Sequence, residues 1–208
     1  RRLWSAVLDA CIERFGNVPL RLFRSPGRIN LRGMHVDTHG GFLNLMTHQR
    51  EVVFAACPRE DNRCLVGNAD PRFEPLSFDL EEAAGGSAFA RPWSEFIVAE
   101  ETRRGIEAQP GHWGHYVRGA ALRAVHEDPQ RPWRGVQGIV GSDLPAGAAL
   151  SSSHALCTAV FSAMLGLHGV EMDKARRILA VRDAEWYTGA RSGVSDQGAM
   201  ILGSKGAL

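Results

Sequence analysis

A glycine- and serine-rich segment, residues 145–154 (PAGAALSSSH), leads directly into an apolar helix and restricts what this chain can fold into. Small residues let a backbone approach a ligand closely, and the first turn of a helix presents unpaired N–H groups and positive dipole charge. This combination is typical of a phosphate-binding turn. A run of serines can also be a simple helix N-cap. The segment is neither a Walker A loop nor a dinucleotide fingerprint, because it lacks their lysine and glycine spacing.

A second segment, residues 26–41, combines glycines with polar side chains. It places His35, Asp37 and His39 at alternate positions. That spacing permits a metal site on a strand. A polyol suits the segment better, because a carboxylate accepts hydrogen bonds from neighbouring hydroxyls and an imidazole can donate or accept them.

A third segment, residues 192–198, carries a single carboxylate, Asp196. In a phosphotransferase, such a carboxylate can take the proton of the acceptor hydroxyl, and Arg28 could stabilise it or the charge on the transferred group. Glu185, on the preceding helix, is a natural Mg²⁺ ligand if it lies near phosphates. By position alone, Asp196 is more typical of a cap or a surface residue, and Glu185 is more typical of an exposed helix face.

Composition excludes several kinds of partner. The 208 residues are 44% apolar and 23% charged, with a formal net charge of +1. So small a charge gives no field that attracts nucleic acid or an anionic membrane. The longest apolar run, residues 155–170, is too short to cross a bilayer and predicts a core helix. The four cysteines show no CxxC pair, so we expect reduced thiols in a cytoplasmic protein.

Hydrophobic periodicity predicts a mixed α+β fold with strands early and helices late. The predicted helices are residues 3–15, 113–126, 151–167 and 172–187, and the predicted strands are 20–25, 42–46, 51–57, 63–66, 76–79 and 135–141. We expect a turn at residues 26–27 and a loop with a short helix over 80–93. Residues 197–202 fit either a helix or a strand.

Four segments together resemble the GHMP family of small-molecule kinases, and within it the galactokinase-like members. They are residues 26–37, 113–119, 145–153 and 193–197, which occur in the family's order and at about its spacing. The resemblance implies a ribosomal-S5-domain-2-like fold, in which a mixed sheet packs with helices. It also implies ATP and Mg²⁺, and transfer of the γ-phosphate to a sugar hydroxyl, which in galactokinases is the anomeric one.

The same resemblance implies roles for individual residues. Asp196 would be the catalytic base and Arg28 its charged partner. The sugar would contact Met34, His35, Asp37 and Gly193. The ATP phosphates would lie against Pro145, Gly147, Ala149, Ser151, Ser152 and Ser153, with Ser152 and Glu185 near Mg²⁺.

Two departures from the family pattern concern the sugar. Met34 stands where a galactokinase has an acidic residue, and Thr38 where it has a tyrosine. A thioether leaves a sugar hydroxyl poorly paired, at a cost of about 1–3 kcal/mol. We therefore expect a galactose-like, deoxy or uronic sugar rather than galactose itself. Arg32 could bind the carboxylate of a uronic acid, or it could be a surface arginine.

Three departures concern the nucleotide and the metal. Ala149 replaces a glycine, which a negative φ tolerates and a positive φ does not. His154 replaces a small residue, and could line the nucleotide pocket or only fill space. Glu185 lies one residue closer to Asp196 than the family pattern places it, which makes its predicted metal role less secure.

The family also has a C-terminal domain with a third glycine-rich motif that completes the ATP site. We interpret residues 1–208 as the N-terminal domain and expect the C-terminal domain, or a chain that supplies it, to lie outside this sequence. One alternative is a non-catalytic sensor that binds sugar and nucleotide and acts through a protein partner. Another is a kinase of a non-sugar alcohol, against which His35 and Asp37 argue because such substrates offer no vicinal diol.

Overall fold

The structure is a computed structural model that describes residues 2–33, 39–145 and 150–206. The helices and strands of these residues follow in the order α1 (Arg2–Phe15), β1 (Arg21–Arg32), β2 (Asn44–Pro58), β3 (Arg63–Asn68), β4 (Leu76–Asp79), α2 (Leu80–Ala84), α3 (Trp93–Phe96), α4 (Glu100–Glu107), α5 (Gly114–Glu127), β5 (Val136–Ser142), α6 (Ser152–Leu167), α7 (Lys174–Trp186) and α8 (Ser195–Leu202). The predicted α+β class is confirmed.

The strands form one mixed sheet in the order β1-β2-β5-β3-β4. β3 and β5 are parallel, and the other neighbouring pairs are antiparallel. Because parallel strands end at the same edge of a sheet, the segments that follow β3 and β5 emerge side by side. A cleft opens at this edge, bordered by residues that follow β3 and β5.

The sheet is buried on both faces. On β2, Val52 and Phe54 belong to the large apolar core formed with α5, α6 and α7, whereas Val53 and Ala55 pack with Val7 of α1 on the opposite face. Strands covered on both faces are expected to be continuously apolar rather than alternating. The unbroken apolar run in this part of β2 therefore follows from its central place between two layers of helices.

The predicted turn at residues 26–27 is wrong. β1 continues through Pro26 to Arg32, with a register shift against β2 between Pro26 and Arg28. A proline is tolerated there because β1 is an edge strand, so its missing N–H breaks no ladder. The two strands predicted over 42–46 and 51–57 are likewise one strand, β2, because β1 pairs along most of its length.

The other differences concern helices. Residues 80–93 contain α2 and the first residue of α3, while α4 (Glu100–Glu107) was not predicted. Helix α4 is short and polar and buries only Thr102 and Ile106, so it offers few apolar residues from which a helix could be predicted. Residues 197–202, undecided from sequence, belong to helix α8, which packs against α7 and β1.

The cysteines belong to the buried part of the protein. All four cysteines are free and buried, and burial raises the pKa of Cys64 to about 11. Within the described ranges, no helix is long and apolar enough to span a bilayer.

We predict that Gly138→Ala destabilises the fold and Gly105→Ala does not. A Cβ at Gly138, in β5, would lie 2.2 Å from the carbonyl oxygen of Ala55 and 2.8 Å from the Phe54 ring. Such overpacking costs about 1–3 kcal/mol. Gly105, in α4, has open space around it, so alanine there should add about 0.4–1 kcal/mol. Urea denaturation measures both changes, and a Gly138→Ala protein as stable as the wild type would contradict the packing described.

Candidate active site

Three chain segments meet around Asp196 at one edge of the sheet. β1 supplies Arg28, the segment before α6 supplies Ser151, and the first turn of α8 supplies Asp196 itself. The backbone N–H of Arg28 also donates to the carbonyl oxygen of Leu150, which joins β1 to the start of α6. These residues border a cleft of about 1250 Å³.

Both oxygens of the Asp196 carboxylate are held by donors. Arg28 donates from Nε to Oδ1. The Ser151 hydroxyl donates to Oδ2 at 2.5 Å, and Nδ1 of His154 lies 3.2 Å from the same oxygen. The side chain of Asp196 is only 7% exposed, so these contacts replace the water that burial removes.

The surroundings of Asp196 favour its charged form. Burial raises the pKa of Asp196, but the attraction of His154 and the hydrogen bonds from Arg28 and Ser151 outweigh burial and hold the pKa below its usual value. Asp196 is therefore a carboxylate at neutral pH. An ionised carboxylate beside an open cleft can accept a hydrogen bond from a substrate hydroxyl.

Ser151 combines an unusual backbone with an unusual side-chain contact. With φ 57° and ψ 47° it is the one non-glycine residue of the described ranges with a positive φ. It stands at the N-cap position of α6, yet its hydroxyl bonds Asp196 instead of capping the helix. The interpretation of this serine as a simple N-cap does not account for that contact.

The structure brings most of the predicted residues that it describes to the same cleft. Those that line it are Arg28, Pro145, Ser151, Ser152, Ser153, Gly193 and Asp196. The remaining predicted contacts for sugar and phosphates, Met34, His35, Asp37, Gly147 and Ala149, lie outside the described residues. The roles given to all of these residues stay predictions.

Glu185 lies behind the cleft rather than on its wall. It is 2% exposed, whereas its position alone suggested an exposed helix face. Its Oε2 accepts from the Ser192 hydroxyl at 2.7 Å and lies 2.6 Å from Nε2 of His154. Across residues 2–33, 39–145 and 150–206, no group of three or more histidine, cysteine and acidic side chains could hold a metal ion.

One wall of the cleft was missed by sequence reasoning. It comes from the end of β3 and the turn that follows, and includes Asn68, Arg72 and Phe73. No function was predicted for the residues between the strands predicted over 63–66 and 76–79. The parallel pairing of β3 and β5 brings this turn to the cleft, and that pairing is not visible in a local pattern.

Two comparisons with known families match separate parts of the chain. The family described as "Galactokinase galactose-binding signature" matches residues 12–58, and the family described as "GHMP kinases N terminal domain" matches residues 115–204. The first match contains Arg28, and the second contains Ser151 to Ser153, Glu185 and Asp196. The matched parts are thus the ones that meet at the cleft.

Comparisons with individual proteins match kinases over nearly the whole chain. A galactokinase from Chloroflexus aurantiacus is 33% identical over 203 residues, which are 97% of this chain and 46% of that protein. The crystal structure of Lactococcus lactis galactokinase complexed with galactose has a TM-score of 0.79 at 24% identity, over 97% of this chain and 47% of that one. A mevalonate kinase from Methanococcus jannaschii has a TM-score of 0.69 at 12% identity, over 90% of this chain and 52% of that one.

The cleft, the fold and these matches define the class that the chain is similar to, the GHMP kinases. The part of the family that it matches is the N-terminal domain, as predicted. Within the family it is similar to the galactokinases, as the match to their galactose-binding signature and the Chloroflexus relative indicate. The chain spans about half the length of the curated relatives it matches.

We predict that Ser151→Gly gives a more stable protein than Ser151→Ala. Both changes remove the hydroxyl that bonds Asp196, so both should be less stable than the wild type. Alanine keeps the steric cost of a left-handed backbone, about 1–2 kcal/mol, which glycine relieves. Part of that gain is offset by the greater freedom of glycine in the unfolded chain. Thermal unfolding of the two variants measures the difference, and equal melting temperatures would argue against a left-handed Ser151.

Proposed function

We propose that this chain is the sugar- and phosphate-binding domain of an ATP-dependent sugar kinase. The reaction would transfer the γ-phosphoryl group of ATP to a sugar hydroxyl, the anomeric one by analogy with galactokinases. The observation that carries the proposal is the buried, ionised Asp196, held by Arg28 and Ser151 at the wall of an open cleft. The similarity of the chain to the GHMP kinases supports this interpretation.

Asp196 would accept a hydrogen bond from the sugar hydroxyl and so orient its oxygen toward the phosphoryl group. As the new O–P bond forms and the bond to ADP breaks, the hydroxyl proton would pass to the Asp196 carboxylate. The low pKa of Asp196 makes it a weak base, which suits phosphoryl transfer because catalysis depends chiefly on positioning and charge stabilisation. Arg28 would keep the Asp196 carboxylate ionised and would fix its orientation.

The ATP phosphates would lie at the start of α6. Ser151, Ser152 and Ser153 line the cleft there, and the first turn of α6 supplies N–H groups and positive dipole charge. In the family, Mg²⁺ neutralises the phosphate charge. Ser152 offers a hydroxyl at this position, whereas Glu185 does not line the cleft and contacts Ser192 and His154, which do.

Galactose is the first sugar to test. The expectation of a sugar other than galactose rested on Met34, which lies outside the described residues. The comparisons give that expectation no support, since the relatives from Chloroflexus aurantiacus and Clostridium perfringens are galactokinases and the galactose-binding signature spans this position. We further propose that a C-terminal GHMP domain completes the ATP site, because the relatives are about twice as long as this chain.

We predict that Asp196→Asn abolishes phosphoryl transfer and leaves nucleotide affinity within about twofold. Asparagine keeps the shape of the side chain but cannot take the hydroxyl proton, and losing such a group costs about 10²–10⁴-fold in rate. Calorimetric titration with an ATP analogue and a coupled assay for ADP separate the two effects. Full activity in Asp196→Asn would remove the base from the mechanism.

The proposed function is tested with the protein joined to its C-terminal half. ADP formation is measured with galactose, fucose, galacturonate, arabinose and mannose. We expect turnover with one of them, and Met34→Glu should raise the preference for galactose if residue 34 faces the sugar. Binding of sugar and nucleotide without turnover of any sugar would instead favour the non-catalytic sensor. Turnover of mevalonate or homoserine would favour the non-sugar alcohol kinase.

A further inference from the structure

We propose that Glu185 does not bind the metal ion in this chain, but positions His154, and that His154 in turn positions Asp196. This inference rests on the proposed function, in which Asp196 accepts the proton of the substrate hydroxyl. Glu185 and His154 are thus positioning residues, which act on the reaction only through Asp196.

The contacts form a continuous path across three helices. Nε2 of His154, in the first turn of α6, lies 2.6 Å from Oε2 of Glu185 on α7. Nδ1 of the same ring lies 3.2 Å from Oδ2 of Asp196 on α8. The side chains of His154, Glu185 and Asp196 are 14%, 3% and 7% exposed. Water therefore competes weakly for these contacts, and the His154 ring fixes the orientation of the Asp196 carboxylate.

Oε2 of Glu185 has little capacity left for a metal ion. A carboxylate oxygen offers about two lone-pair positions, and the Ser192 hydroxyl and the His154 ring take both. Glu185 is 2% exposed and is not among the described residues that line the cleft. To ligate a cation through Oε2, Glu185 would have to give up His154 or Ser192. The donors around Glu185 therefore fit a buried hydrogen-bonded carboxylate better than a metal ligand.

The segment around Glu185 is fixed as well. The indole Nε1 of Trp186 donates to the carbonyl oxygen of Ser192 at 3.0 Å. Because Ser192 also donates to Glu185, the loop before α8 is tied twice to the end of α7. His154 adds the third connection, from α6, so that the direction of Asp196 depends on all three helices.

The first test is the magnesium dependence of ATP binding, measured by calorimetry at a series of free Mg²⁺ concentrations. Glu185→Gln should leave the half-saturating Mg²⁺ concentration within about twofold of wild type. The matched control is Glu127→Gln, since the side chain of Glu127 is only 9% exposed, pairs with Arg123 and Arg176, and does not line the cleft. An increase of tenfold or more in Glu185→Gln alone would make Glu185 a metal ligand and overturn the inference.

The second test needs no activity. The side-chain ¹⁵N resonance of His154 Nε2 should shift in Glu185→Gln and stay unchanged in Glu127→Gln. An unchanged resonance in Glu185→Gln would overturn the inference. If the shift occurs in a protein that phosphorylates no sugar, the contact between Glu185 and His154 stands while the proposed function fails.

The third test uses the kinetics. His154→Ala and Glu185→Gln should each lower kcat at least tenfold with little change in the KM for ATP, and the double variant should be no worse than the more impaired single one. His154→Asn should recover part of the kcat lost in His154→Ala, because its amide can still donate toward Asp196. Additive losses, or no recovery by asparagine, would show that the two residues do not act along one path. Melting temperatures confirm that each variant is folded.

Discussion

The buried carboxylate of Asp196 can remain ionised only while other parts of the chain hold their donors against it. Arg28 comes from β1, and Ser151 and His154 come from the start of α6. A buried charge without partners costs several kcal/mol and would take up a proton instead. Because the donors come from separate elements, the position of each element against the sheet decides the charge state of Asp196.

The two-sided burial of the sheet provides that positioning. β2 packs against α1 on one face and against the larger helical layer on the other, so it cannot shift without exposing apolar surface on both. β1, which carries Arg28, pairs along β2, and α6 packs against both strands. The close-packed layers thus hold the donors and Asp196 in register.

Local sequence patterns predicted the elements whose own residues decide their conformation. The spacing of apolar residues predicted α1, α5 and α6 nearly to their ends. It failed for β1, where Pro26 and Gly27 resemble a turn but lie in an edge strand paired with β2. It also failed for α4, whose polar residues bury only two side chains. The failure at β1 concerns structure that depends on pairing between distant residues.

The sequence by itself indicated the class of this protein, because the polar segment over residues 26–41, the glycine- and serine-rich turn and the Asp196 segment occur together and in order. It also placed Asp196, Arg28 and the serines in one site. Only the tertiary structure decided that Glu185 is buried and that His154 lies between two carboxylates. The physical reason is that helix packing brings these side chains together, and the arrangement of three helices has no local pattern in the chain.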